Sequence, residues 1–250
     1  MFASPTIREG ATAYEIARQR LHVSAVPDTL PCREDEFAEI LMYLQSALDE
    51  GGSLCLYISG VPGAGKTATV REVIRTLQES ADQGDVPPFK YTEINGMKLT
   101  DPAQAYVLLW RAIKNSDERI TPSHAAQLLD QHFSQAAARG SAGGGGHKQI
   151  HIVLMDELDL LVTKNQAVIY NLFDWPYRPN ARLIVIAIAN TMDLPERMLS
   201  HKVSSRLGLT RVNFQPYTYQ QLYTIVTSRL EGCEAFDPDA IEFCARKVSA

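Results

Sequence analysis

The run Leu54-Cys55-Leu56-Tyr57-Ile58-Ser59-Gly60-Val61-Pro62-Gly63-Ala64-Gly65-Lys66-Thr67 decides the fold. Its first six residues are a compact apolar stretch, the composition of a strand buried on both faces. The next eight match G-x-x-x-x-G-K-[ST] in full, and behind them Val70, Val73, Ile74 and Leu77 fall at helical spacing. Strand, glycine-rich loop and helix in that order make a cradle for phosphate. The glycines let backbone N–H groups curl around oxygen atoms, and the helix start adds the positive end of its dipole. Lys66 is expected to reach the β- and γ-phosphates of ATP, and the Thr67 hydroxyl to ligate Mg²⁺. Gly60, Val61, Pro62, Gly63, Ala64, Gly65, Lys66, Thr67 and Ala68 are thus the expected phosphate-side contacts. A glycine-rich turn that matches by chance is the competing reading, and the flanking strand and helix weigh against it.

Upstream, Phe37, Ile40, Leu41, Leu44 and Leu48 trace an amphipathic helix that Gly51-Gly52 stops, preceded by irregular chain with a short helical stretch around 14–21. Downstream, a strand is expected over 90–94, a helix over 102–113 opened by Asp101-Pro102, and a polar helix over 122–137. The segment Arg139-Gly140-Ser141-Ala142-Gly143-Gly144-Gly145-Gly146 cannot bury a core and reads as a surface loop with no motif role. Further apolar runs at 150–155 and 183–189, a helix over 166–173 and a short strand at 211–214 follow. From Thr218 the pattern turns purely helical. Thr218 and Gln221 make a capping box, Leu222, Ile225, Val226 and Leu230 form a stripe, and a second helix starts near Pro238. Strands alternating with helices imply α/β architecture, a parallel five-stranded sheet flanked by helices, with ligands at the carboxyl ends of the strands. The expected divisions are an N-terminal extension over 1–25, an α/β core over 26–216 and an incomplete helical lid over 217–250.

Three further positions extend the chemistry. Ile150-His151-Ile152-Val153-Leu154-Met155 ends in Asp156-Glu157. Asp156 is expected to hold Mg²⁺ through its water shell, and Glu157 to orient the attacking water or take its proton. An acidic pair that merely caps a helix is the plain alternative. Asn190 ends a third apolar strand. If that strand lies between the other two, its amide faces the γ-phosphate; otherwise it is a polar turn residue. Arg206, in Ser204-Ser205-Arg206-Leu207-Gly208, either projects into a neighbouring subunit's ATP site or makes a local ion pair.

The bulk composition is compatible with this reading and excludes others. Of the 250 residues 45% are hydrophobic and 21% charged, ordinary for a globular chain, and the net charge of −5 rules out an overall basic nucleic-acid clamp. No apolar run approaches the roughly 20 residues that span a bilayer, and the start lacks a signal-peptide pattern. Cys32, Cys55, Cys233 and Cys244 include no Cys-x-x-Cys pair, against a disulfide framework or zinc site and in keeping with a reducing compartment. His147 and His151 straddle a glycine run and a strand, which disfavours a metal site.

The order of phosphate loop, Asp-Glu, strand-end Asn and Ser-Arg resembles the AAA+ ATPases of the initiator and loader clade. Longer stretches are similar to the family of the largest subunits of eukaryotic origin recognition complexes. They are Leu21–Pro27, Leu30–Glu34, Asn95–Thr100, Asn171–Pro176, Ala189–Arg197 and Phe214–Thr218. The resemblance implies an ATPase subunit that assembles on origin DNA and helps load the replicative helicase in the nucleus. Its implied partners are the other subunits of that complex, the related helicase-loading ATPase and double-stranded DNA, with the helicase an indirect one and no membrane involved. It further implies that Val26, Pro27, Leu30, Pro31 and Arg33 line the adenine pocket, and that Tyr217 and Ile225 approach that pocket from the lid. Around Asn95–Thr100 it implies an insertion facing DNA, where Lys98 contacts phosphate or stays a solvated lysine.

Some family features are missing. The second arginine sensor would fall just after Ala250, and the chromatin-reading region and winged-helix domain are absent, so the expectation is a fragment. Two other readings stay open. One is a binding module with ATP as structural ligand, against which Glu157 and Asn190 speak. The other is a homo-oligomeric remodelling or clamp-loader-type ATPase, disfavoured by the lack of an aromatic pore loop.

Overall fold

The computed structural model describes residues 12–22, 31–116, 118–135, 149–162, 166–179, 181–192 and 210–249. The chain divides into a sheet unit, 36–214, and a helical unit formed by 1–35 together with 215–250.

The sheet unit holds five parallel strands: β1 Leu54–Gly60, β2 Phe89–Asn95, β3 Ile150–Asp156, β4 Leu183–Ala189 and β5 Arg211–Phe214, in the order β2-β3-β4-β1-β5. The two central apolar runs are buried throughout, because helices cover both faces. Along β4 the side chains alternate between two cores. Leu183, Val185 and Ala187 join one cluster, and Ile184, Ile186 and Ile188 the other. On the second face pack α2 (Glu34–Asp49) and α3 (Lys66–Gln83), through Ile40, Leu44 and Leu48 and through Val70, Val73, Ile74 and Leu77. The stripes at i, i+3, i+4 and i+7 that mark both helices in the sequence are the ones that face this core, with Phe37 and Leu41 of α2 half-buried at its margin.

On the first face lie α4 (Gln104–Lys114), α5 (Pro122–Gln135) and α6 (Ala167–Asp174). Helix α5 is less polar in effect than its composition suggests. Ala125, Leu129 and Phe133, four residues apart, form one fully buried line. Trp175 follows α6 in a 3₁₀ turn and is completely buried, with its ring 5.3 Å from Phe133 and 5.8 Å from Tyr106. Its indole N–H donates to Asp130, which with Asp174 also binds Arg178. The unusual Asn171–Pro176 stretch therefore has a structural job. Asn171 donates to the Tyr106 hydroxyl, and that hydroxyl donates to the Ala167 carbonyl.

In the helical unit, α1 (Ala13–Arg20), α7 (Tyr219–Arg229) and α8 (Pro238–Ser249) meet on Ala17, Leu230 and Ala235. Capping boxes start two of them, Thr12 with Glu15 and Thr218 with Gln221. The Cys233 thiol also donates to the Ala13 carbonyl, tying the segment after α7 to α1.

Candidate nucleotide site

All the site's polar groups in the sheet unit sit at carboxyl ends of strands, where a parallel sheet leaves its crevice. Strand β4 does lie between β1 and β3, the condition on which the reading of Asn190 depended.

The loop from β1 to α3 is held open by its glycines. At Gly60, with φ of +151°, a Cβ would come 2.5 Å from the Phe214 carbonyl oxygen of β5, so no larger residue fits against the edge strand. Gly65 caps α3 in the left-handed region, with no side chain on the first-turn N–H groups. Those donors stay free for an anion.

Lys66 is buried, and its ammonium donates to the Gly60 carbonyl at 2.7 Å, the Val61 carbonyl at 3.0 Å and the Asn190 side-chain oxygen at 3.0 Å. Burial lowers its pKa, and the Glu157, Asp156 and Asp159 carboxylates oppose that shift. The amide of Asn190 also donates to a Glu157 carboxylate oxygen at 2.7 Å. Only one orientation satisfies both neighbours, oxygen toward the ammonium and nitrogen toward the carboxylate. Glu157 sits in the left-handed region, at φ of +56°, between β3 and the 3₁₀ turn Leu158–Leu161. Asp156 accepts from the Thr67 hydroxyl at 3.1 Å on one oxygen and from the Asn95 amide at 3.2 Å on the other.

This donor set fits Mg²⁺ with a nucleotide. A hydroxyl and one buried carboxylate oxygen lie side by side, and among the described residues no three His, Cys, Asp or Glu side chains converge to hold an ion alone. Mg²⁺ is commonly held this way, by one or two protein oxygens plus phosphates and water. Lys66, Thr67, Asp156, Glu157 and Asn190 are thus brought together, at the mouth of the loop that holds Gly60, Val61, Pro62, Gly63, Ala64, Gly65 and Ala68.

The remaining expected contacts fare differently. In the helical unit Arg33 and Tyr217 meet, the guanidinium lying 4.0 Å over the ring and donating to the Gln215 carbonyl at 2.6 Å. Pro31 and Ile225, in the same unit, are both half-buried. Lys98 is exposed at the end of the 3₁₀ turn Gly96–Lys98. Val26, Pro27, Leu30, Arg206 and the glycine run lie outside the described residues.

Two site residues escaped the sequence reading. Asn95 ends β2 in register with Asp156, and Asp159 accepts hydrogen bonds from the backbone of Asn190 and the hydroxyl of Thr191. The signal for both was positional: a polar residue at the last place of a parallel strand, and a third acidic residue in Asp156-Glu157-Leu158-Asp159.

Comparison with known proteins agrees with the geometry. Residues 56–211 match the family described as ATPase family associated with various cellular activities (AAA). The chain is 55% identical over 244 residues to origin recognition complex subunit 1 of Mus musculus, covering 98% of this chain and 28% of that protein. To the subunit 1 of Schizosaccharomyces pombe it is 54% identical over 237 residues, 94% of this chain and 32% of that one. In a solved structure of Drosophila ORC bound to DNA, one chain superposes with a TM-score of 0.85 at 44% identity, over all of this chain and 59% of that one. The chain thus spans about three tenths of the curated relatives it matches.

Proposed function

The chain belongs to the AAA family of ATPases, and on that premise we propose that it is the ATPase region of an origin recognition complex subunit, binding Mg²⁺-ATP to gate assembly on origin DNA. The observation that carries the reading is the closed set of hydrogen bonds joining Lys66, Asn190 and Glu157 beside the Thr67–Asp156 pair.

In this reading the loop amides and the start of α3 bind the phosphates, and Lys66 leaves its carbonyl partners for the β- and γ-phosphate oxygens. Asn190, freed on that side, turns its amide toward the γ-phosphate and the water in line with it. Glu157 accepts the proton of that water or orients it. When bound, Mg²⁺ neutralises charge shared by the β- and γ-phosphates. Thr67 and Asp156 are its protein-side oxygens, and Asn95 keeps Asp156 turned toward the site. On the base side Val26, Pro27, Leu30, Pro31, Arg33, Tyr217 and Ile225 contact adenine.

The site is completed in trans. A neighbouring subunit supplies an arginine to it, while Arg206 reaches the ATP site of another subunit or of the related helicase-loading ATPase. Lys98 contacts a DNA phosphate. The protein works in the nucleus, and it affects the replicative helicase only through the assembly. Among the described residues no helix is long and apolar enough to cross a membrane.

The test is steady-state hydrolysis by the chain alone and with the other subunits of the complex. The expected result is ATP binding with scant turnover alone, rising when partner subunits are added. Brisk turnover that climbs steeply with the chain's own concentration would replace this reading with a homo-oligomeric machine.

A further inference from the structure

The turn that ends β4 is gripped from two sides by groups outside the phosphate loop and the Asp156-Glu157 pair. Asp159 sets one carboxylate oxygen 2.8 Å from the backbone nitrogen of Asn190 and the other 3.0 Å from the Thr191 hydroxyl. From β1, the Tyr57 hydroxyl donates to the Thr191 carbonyl at 2.7 Å. The β1–β4 ladder ends one residue earlier, with Ser59 opposite Ala189. Beyond that point the backbone carrying Asn190 is therefore fixed by side chains. The Asn190 amide has to meet Lys66 at 3.0 Å and Glu157 at 2.7 Å together, and a short side chain can do so only from one backbone position.

We infer that Asp159 is a positioning residue of the nucleotide site. By holding the Asn190–Thr191 turn it aims the Asn190 amide and so sets how well the site distinguishes a nucleoside triphosphate from a diphosphate. The inference rests on the nucleotide reading proposed above. A different role for the same carboxylate would be its charge alone, since it belongs to the negative surroundings of Lys66. Chemistry separates the two. In Asp159→Asn the amide oxygen still accepts from the Asn190 N–H, and the amide nitrogen donates to a Thr191 hydroxyl turned the other way. Both bonds survive without the charge.

The experiment is calorimetric titration of the whole chain with ATPγS and with ADP in Mg²⁺, together with amide hydrogen exchange at Asn190. Wild type is expected to prefer the triphosphate. Asp159→Ala should lower that preference roughly tenfold, the effect of losing charged hydrogen bonds. It should match Asn190→Ala, weaken ATPγS binding more than ADP binding, and speed exchange at Asn190 on the order of tenfold. Asp159→Asn should behave as wild type. If Asp159→Ala does not fold, Thr191→Val, which removes one bond only, should show a smaller loss in the same direction.

An undiminished preference in Asp159→Ala, or in Thr191→Val as its substitute, overturns the inference, as does a wild type that binds both nucleotides equally. A loss in Asp159→Asn as large as in Asp159→Ala assigns the effect to charge and overturns it too. A wild type that binds neither nucleotide removes the nucleotide reading itself, an outcome distinct from these.

Discussion

Two regions of this molecule are held together in opposite ways. At the carboxyl ends of β1, β2, β3 and β4, seven polar side chains (Lys66, Thr67, Asn95, Asp156, Glu157, Asp159 and Asn190) bind one another or nearby backbone groups. In the helical unit one small cluster of three buried apolar residues, Ala17, Leu230 and Ala235, joins α1 to α7 and α8, while Phe243 and Val248 stay exposed on α8. The first region has directional bonds fixed by a close-packed sheet beneath it. Among the described residues the second has a smaller apolar core and no directional network of comparable density. On the proposed reading, chemistry at γ-phosphate would need placement within a fraction of an ångström, and the first arrangement suits that need. The second can shift at low energetic cost.

The largest expected effect lies in the polar region. Glu157→Gln keeps the Asn190 contact and loses the proposed base, so turnover measured with partner subunits present should fall roughly 10²–10⁴-fold with ATP still bound. Normal hydrolysis would take the water-positioning role away from Glu157. Next comes the packing under the site. Trp175→Ala removes a fully buried ring and the bond to Asp130, and should cost about 3–5 kcal/mol in urea unfolding. A cost under about 1 kcal/mol would show that this face of the sheet is not the rigid support it is taken to be.

A pH effect of up to about 3 kcal/mol follows from His151, near the amino end of β3. Burial, with His132 and Lys90 near, pushes its pKa down from 6.5 to about 4. The unfolded chain therefore takes up this proton at higher pH than the folded one. The stability of the neutral ring is complete above about 6.5 and lost as pH falls from there to about 4. Urea midpoints measured at pH 7 and pH 4.5 should differ, and by less in His151→Gln. An equal pH dependence in the two proteins would contradict the assignment. The smallest effect belongs to the helical unit, where Leu230→Ala should cost about 2 kcal/mol, the low end for a buried leucine. A loss as large as that of Trp175→Ala would erase the contrast between the two regions.

The same contrast explains what could be read in advance. Strand ends, the glycine-rich loop and the helical stripes follow from short-range rules, so β1, β3, β4 and the faces of α2 and α3 were legible from the residues alone. So was the capping box of Thr218 and Gln221, a local signal four residues long. Asp159 and Asn95 were not, because their partners lie 31 and 61 positions away and only the strand order brings them near. The packing of α1 against Leu230 and Ala235 was equally hidden, since a single alanine at the contact leaves no periodic mark. The buried line in α5 was obscured by its polar flanks. The Asn171–Pro176 stretch, prominent as a resemblance, turned out to build the core around Trp175.

On the proposed reading Lys66 is the cation of a nucleotide phosphate site, a claim tested most directly by equilibrium binding of Mg²⁺-ATP to the whole chain and to Lys66→Ala. Removing an ammonium that makes charge-assisted hydrogen bonds should weaken binding roughly 100-fold, with the fold intact by circular dichroism. Equal affinity in the two proteins would contradict the claim.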